Sequence, residues 1–205
     1  MIVFQHLLTG AVLGLVAGIS PGPILALVIR ESLLNGRKAG MKVATVPLFS
    51  DLPIVFLTLV ILTKLTEYNT ILGIISFLGA GFILLLAYES LRVKAVQPDI
   101  KQVRFTTFWK GVFANLLSPH PYLFWLLVGS PMVIKAWQIT PWAGIAYISG
   151  FYICIIGAKL FIAWLSDKSK NVLGTKAYLW IIRILGVTLL ILAIILIRDG
   201  IEFLK

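Results

Sequence analysis

Long apolar runs alternate with short stretches rich in Lys and Arg. The runs cover roughly 4–29, 43–63, 70–91, 107–134, 142–166 and 178–198. A membrane helix needs about 20 mainly apolar residues, so each run predicts one span. The first and fourth runs are longer than a single crossing, and each holds a pair of prolines. "SPGP" begins at Ser20 and "SPHP" at Ser118, an offset of 98 residues. Proline lacks an N–H, blocks the carbonyl four residues back and costs about 3 kcal/mol in a helix interior. Both spans are therefore predicted to break, freeing carbonyls around Ala17 to Ile19 and around Asn115 to Leu117. Freed backbone groups cannot face lipid; they must be buried in protein or line a wet cavity. The segments that restart near Gly22 and Tyr122 present helix N-termini, which suit a carboxylate.

Three spans per half is an odd number, so the halves insert with opposite orientation. The pattern predicts an all-α integral membrane fold in a single domain over 1–205, built of two inverted-topology three-helix repeats. Repeat one covers about 1–95, a cytoplasmic loop about 92–106, and repeat two about 107–205. In such repeats, paired broken helices mark a binding site near the midplane. Ser20, Pro21, Gly22 and Pro23 at the first break, with Asn115, Ser118, Pro119 and His120 at the second, are the candidate substrate-binding residues. His120, between two prolines, is either a proton-handling imidazole or a hydrogen-bonded kink residue. Asn115, one turn earlier, either contacts a substrate through its amide or caps freed backbone. Gly10, Gly14, Gly18 and Gly22 form a small-residue stripe that lets another helix approach closely, which makes the first helix central.

Composition closes off the soluble classes. Apolar residues are 60% of the 205, charged residues 13%, and mean hydropathy is +1.00. No soluble domain hides that much apolar surface. The net charge of +10 does not indicate nucleic acid, because the charges fall between the apolar runs. Thirteen of the 18 Lys and Arg residues belong to the first, third and fifth loops or their helix ends, and four to the other side. By the positive-inside rule, both termini lie outside a cytoplasmic membrane. Trp109, Trp164 and Trp180 then fall near the inner interface, and Trp137 and Trp142 near the outer one. The N-terminus lacks a positive leader and a small-residue cleavage site, so it reads as a retained first span.

Two charges remain inside the spans. Asp51 lies about 8 residues from the inner end of the second run and Lys159 about 7 from that of the fifth, on the order of 10–12 Å deep. Lone membrane charges cost roughly 2.5–3.5 kcal/mol on insertion scales, so they face the interior and pair. Asp51 and Lys159 are expected to be close, directly or through water. They serve either as a packing pair or as an ion-coupling pair in which Asp51 takes a proton or a substrate ammonium. Lys159 has a further option, since its long stem can snorkel toward the inner face. Glu89 is expected to pair at the surface with Arg92, and His6 to be solvated. The one cysteine, Cys154, reads as a small hydrophobe and excludes an internal disulfide or thiol-electron transfer. No metal-ligand cluster, P-loop or catalytic motif appears, so no metal, cofactor or enzyme activity is expected, and transport would be driven by a gradient.

"GLVAGISPGPILALVIRESLLNGRKAG" resembles the first-helix signature of the LysE/RhtB amino-acid exporters, with Pro21, Gly22, Pro23, Leu34, Gly36, Arg37 and Gly40 in place. Asp51 is similar to the family's acidic residue in its second helix. "GVFANLLSPHPYLFW", with Gly111, Asn115 and Pro119, looks like its second-half G-x-x-x-N-x-x-N-P stretch. The sequence departs from the pattern at Val46, Pro47 and Ser50 around the acidic residue, at Ser118 in place of Asn, and at the extra Pro121. The resemblance implies a gradient-driven exporter of amino acids or related zwitterions, coupled to a proton or cation gradient and working as a homodimer in the lipid bilayer. Export of a cation or another small solute, or a non-transporting membrane role such as lipid modification or assembly, remain the alternatives.

Overall fold

A computed structural model describes residues 1–20, 22–65, 69–92, 107–168 and 176–203. These residues form α1 (Ile2–Ile19), α2 (Pro23–Asn35), α3 (Arg37–Ala44), α4 (Val46–Leu65), α5 (Asn69–Leu91), α6 (Thr107–Leu116) and α7 (Pro119–Phe124). A π-helical turn (Trp125–Gly129), α8 (Ser130–Ile139), α9 (Pro141–Lys168) and α10 (Lys176–Phe203) follow. Among the described residues, six stretches are long and apolar enough to cross a membrane: Ile2–Ile19, Arg37–Lys64, Gly73–Leu91, His120–Ile139, Pro141–Asp167 and Leu179–Glu202. The chain is an all-helical, multi-pass membrane protein.

Span boundaries depart from the hydropathy reading in two places. The first run, expected over 4–29, is two helices, and the second of them continues into polar sequence as far as Asn35. Glu31 holds that extension together: it accepts from Arg30 Nη1 at 2.8 Å and from Asn35 Nδ2 at 2.8 Å. Gly36, at φ +80°, then reverses the chain in a left-handed conformation that a side chain would strain. α3 folds back on α2, and a Cβ at Gly40 would run into Ser32 and the Val28 carbonyl. The expected first loop is thus a tight helical hairpin. The fourth run, expected over 107–134, is interrupted at Leu117–Ser118. α6 stands apart as a ten-residue piece, and the crossing stretch reaches Ile139.

α1 lies along α9 in the same direction. A Cβ on Gly10 or Gly14 would strike the carbonyl of Tyr147 or Phe151, and one on Gly18 would crowd Ala158 and Ile155. The stripe ends there, because a Cβ at Gly22 would meet nothing within 4 Å. α4 runs alongside the second broken stretch, joined to it by a buried hydrogen bond of 2.7 Å between Thr58 Oγ1 and Ser130 Oγ. α5 and α10 pair in opposite directions: Gly186 packs beside Ala87 to Leu91, and Gly200 beside Phe77. One end of the bundle carries Met1, Leu65, Ile139 and Phe203; we name it the first face. The other carries Gly36, Arg92 and Lys168 and is the second face. Lys94, Lys101, Arg104, Lys170 and Lys205 lie outside the described residues.

Candidate functional site

Both interruptions open onto one cavity of about 320 Å³ among α1, α2, α4, α5, α6, α7 and α9. Its floor toward the first face is apolar and aromatic: Leu13, Phe124, Trp125 and Phe151. Its polar side chains, Asp51, Glu89, Asn115, His120 and Lys159 among them, come from five separate helices, so only the folded bundle assembles them.

At the first interruption the lysine occupies the acceptors that proline chemistry leaves free. Lys159, 3% exposed, donates from Nζ to the carbonyls of Ala17 at 3.2 Å and Gly18 at 3.1 Å. These belong to the last turn of α1, where no helical donors follow and the dipole is negative. A cation there satisfies orphan carbonyls and end charge together. Ser20 closes the same turn, its hydroxyl donating to the Val16 carbonyl at 2.6 Å.

At the second interruption Asn115 reaches across to α4. Its amide donates to Asp51 Oδ1 at 2.6 Å and to Ser50 Oγ at 2.8 Å. Asp51, 5% exposed, is further met, at 3.4 Å, by the Ser50 hydroxyl. Tyr122 donates to the Leu116 carbonyl at 2.9 Å and so caps the end of α6. These donors give the buried carboxyl the hydrogen-bond partners it needs.

The direct Asp51–Lys159 contact expected from similar depth is not formed: no ion pair joins them within 4.0 Å. The reason is axial. Asp51 stands near the middle of Arg37–Lys64, while Lys159 lies nearer the second face and finds carbonyl acceptors closer to hand. The two charges still line one cavity and act on each other electrostatically. Lys159 does not snorkel.

Of the other candidates, Ser20, Gly22, Asn115, Ser118 and His120 also line the cavity. The His120 ring sits 5.4 Å from that of Phe82. Pro21 lies outside the described residues, as do the side chains of Pro23 and Pro119. Glu89 is exposed and also borders the cavity, while Arg92 stacks over the Tyr88 ring at 4.6 Å. The sequence reading passed over Trp125 altogether. Trp109, Trp137, Trp142, Trp164 and Trp180 are exposed, whereas Trp125 is 1% exposed and sits over the cavity floor. The available signal was "W-x-x-x-G-x-P" at 125–131: a Cβ at Gly129 would collide with the Trp125 ring, and Pro131 supplies no N–H.

The profile of the LysE type translocator family matches residues 15–200, the stretch containing both interruptions and all the charges above. The chain belongs to the LysE type translocator family. The six stretches able to cross a membrane fit a family of translocators. It is also similar to the uncharacterized membrane protein YahN of Escherichia coli (strain K12), at 26% identity over 141 residues. That match covers 63% of this translocator and 63% of YahN, less than two thirds of the relative's length. No solved structure matches the chain.

Proposed function

We propose that this translocator is a gradient-driven secondary transporter that exports amino acids or related small zwitterions across the cytoplasmic membrane. The observation that carries the reading is the shared cavity. Two helix interruptions, a carboxylate and an ammonium meet there, in a space the size of a small solute. The solute's carboxylate is read by Lys159 and the start of α2, and Asp51 takes part in ion coupling. Ser20, Gly22, Asn115, Ser118 and His120 frame the solute, with Pro21, Pro23 and Pro119 setting the interruptions. Lys159 already fills the carbonyls of Ala17 and Gly18, so a substrate ammonium is directed to Asp51 or Glu89.

The helix pairings support two inverted repeats, about 1–95 and 107–205. Spans one and five run side by side, spans two and four do the same, and spans three and six pair with each other. That set maps onto itself when the halves are exchanged. Alternation is a rocking of one half against the other. The basic second face is cytoplasmic, with both termini outside, and the working unit is a homodimer.

The test is counterflow in proteoliposomes with a panel of labelled amino acids, comparing native protein with Asp51→Asn. Exchange of an amino acid by the native protein, with loss of gradient-driven accumulation in the variant, is the expected result. Exchange of a different solute with no amino acid exchanged would refute the substrate class. Intact gradient dependence in Asp51→Asn would refute the coupling role.

A further inference from the structure

The cavity has two ends of different character. On its second-face side stand Lys159, Ser20, Asn115 and Glu89. On its first-face side stand Leu13, Phe124, Trp125 and Phe151, and Val16 and Ile155 form apolar wall between the two. One face of α9 runs through all three zones. Phe151, Ile155 and Lys159 follow one another at four-residue steps, so they lie in a row from aromatic to aliphatic to cationic. The eight residues from Phe151 to Lys159 span about 12 Å of helix. On α1, Leu13 stands four and five residues before Ala17 and Gly18, whose carbonyls hold the lysine.

The floor is a packed slab. Phe124 stacks on Phe151 at 5.3 Å, and Trp125 meets Phe151 edge-on at 5.1 Å. These three rings and Leu13 belong to one buried cluster. Side chains locked in this way hold their shape without a solute, which cuts the ordering cost of binding. At the other end an ammonium has three N–H donors. Lys159 gives two of them to Ala17 and Gly18, and the third is the one a solute carboxylate would take.

We propose that the solute is an amino acid with a long apolar side chain, its carboxylate at Lys159, its ammonium toward Asp51, and its side chain against the floor of Leu13, Phe124, Trp125 and Phe151, which sets the specificity. The inference rests on the transport reading and narrows its substrate class. The charges fix the orientation, because a charged head on the floor would lose its water and gain no partner. A polar or charged side chain reaching the floor suffers the same loss. A short side chain stops above the floor and forfeits the dispersion contacts it offers.

The test is isothermal titration calorimetry on the full chain in nanodiscs, with alanine, α-aminobutyrate, norvaline and norleucine as a straight-chain series. Affinity should rise about fourfold per added methylene. Phenylalanine should bind at least as tightly as norleucine. Lysine, which is norleucine with an ammonium at its tip, should bind at least tenfold more weakly. So should pentylamine, which is norleucine without its carboxylate. Flat affinity along the series, no binding by any member, or lysine ahead of norleucine would overturn the proposal. Ile155→Phe places a ring halfway along the cavity and should remove most of the advantage of norleucine over alanine, with alanine unchanged. If that variant does not fold, the series on the native chain decides alone. Counterflow separates this inference from the reading beneath it. Exchange of alanine or lysine but not norleucine would overturn the role of the floor and leave amino-acid transport standing. The expected binding series with no amino acid exchanged would refute transport and leave the floor's preference in place.

Discussion

Gly14→Ala offers a clean measurement of what holds α1 against α9. The added methyl would strike the Phe151 carbonyl oxygen, with the carbonyl carbon at 2.9 Å and the Cα at 3.0 Å. These are backbone atoms in the middle of a 28-residue helix and cannot swing aside, so the two helices must separate by about half an ångström to one ångström. Overpacking of this kind costs about 1–3 kcal/mol, and the upper end applies because backbone meets backbone over several turns. Alanine returns up to about 1 kcal/mol of helix propensity. The net is a loss of about 2 kcal/mol, or roughly a 30-fold drop in the folding equilibrium. Gly157→Ala on α9 is the matched control, since nothing lies within 4 Å of its added methyl. It receives the propensity gain alone and should be neutral or stabilising by up to about 1 kcal/mol. The assay is reversible unfolding in mixed detergent micelles, followed by circular dichroism, with both variants read against the native chain. If both shift the midpoint equally, or Gly14→Ala stabilises, close glycine contact does not hold this helix pair together.

Three other substitutions probe separate contacts. Lys159→Met keeps the apolar stem but strips two charge-assisted bonds from the end of α1; partly offset by the ammonium burial it relieves, it should cost about 2 kcal/mol and speed amide exchange at residues 18–20, read by mass spectrometry. Tyr122→Phe removes the donor to Leu116 and should lower stability by about 1 kcal/mol in the same micelle assay, with no effect on the α1–α9 pair. Thr58→Val leaves Ser130 buried without its cross-helix partner and should cost about 1–2 kcal/mol, while Thr58→Val with Ser130→Ala recovers part of the loss, a comparison that isolates the bond itself.

Much of this architecture is legible in the chain because membrane physics is local. Hydropathy marks the crossings, and proline chemistry marks where α1 and α6 end. It also marks which carbonyls go begging: the Ala17 to Ile19 window contains the two that Lys159 serves. Partner choice is less legible. Asp51 and Lys159 look like a pair on charge and depth, yet each finds nearer partners at one of the two interruptions, Asn115 for Asp51 and the Ala17 and Gly18 carbonyls for Lys159. α2 outruns its apolar stretch because Glu31 bonds two neighbours, a contact that hydropathy does not see. Trp125 escapes notice for the opposite reason. Within "LFWLL" it resembles any other apolar residue, and only the fold seats it on the cavity that Asp51 also lines.

The two neighbouring helix pairs differ in stiffness. α1 and α9 touch backbone to backbone at four glycines, Gly10, Gly14, Gly18 and Gly150, and Lys159 pins them again where α1 ends. Together they form a beam: bending one means bending the other. α4 and its neighbour are joined through side chains such as Asn115–Asp51 and Thr58–Ser130, around a turn already wound off its usual pitch. A load applied at the shared cavity therefore deforms the second pair and leaves the first as its fulcrum. Helix pairs that look equivalent in topology would then divide the labour, one serving as frame and the other as lever.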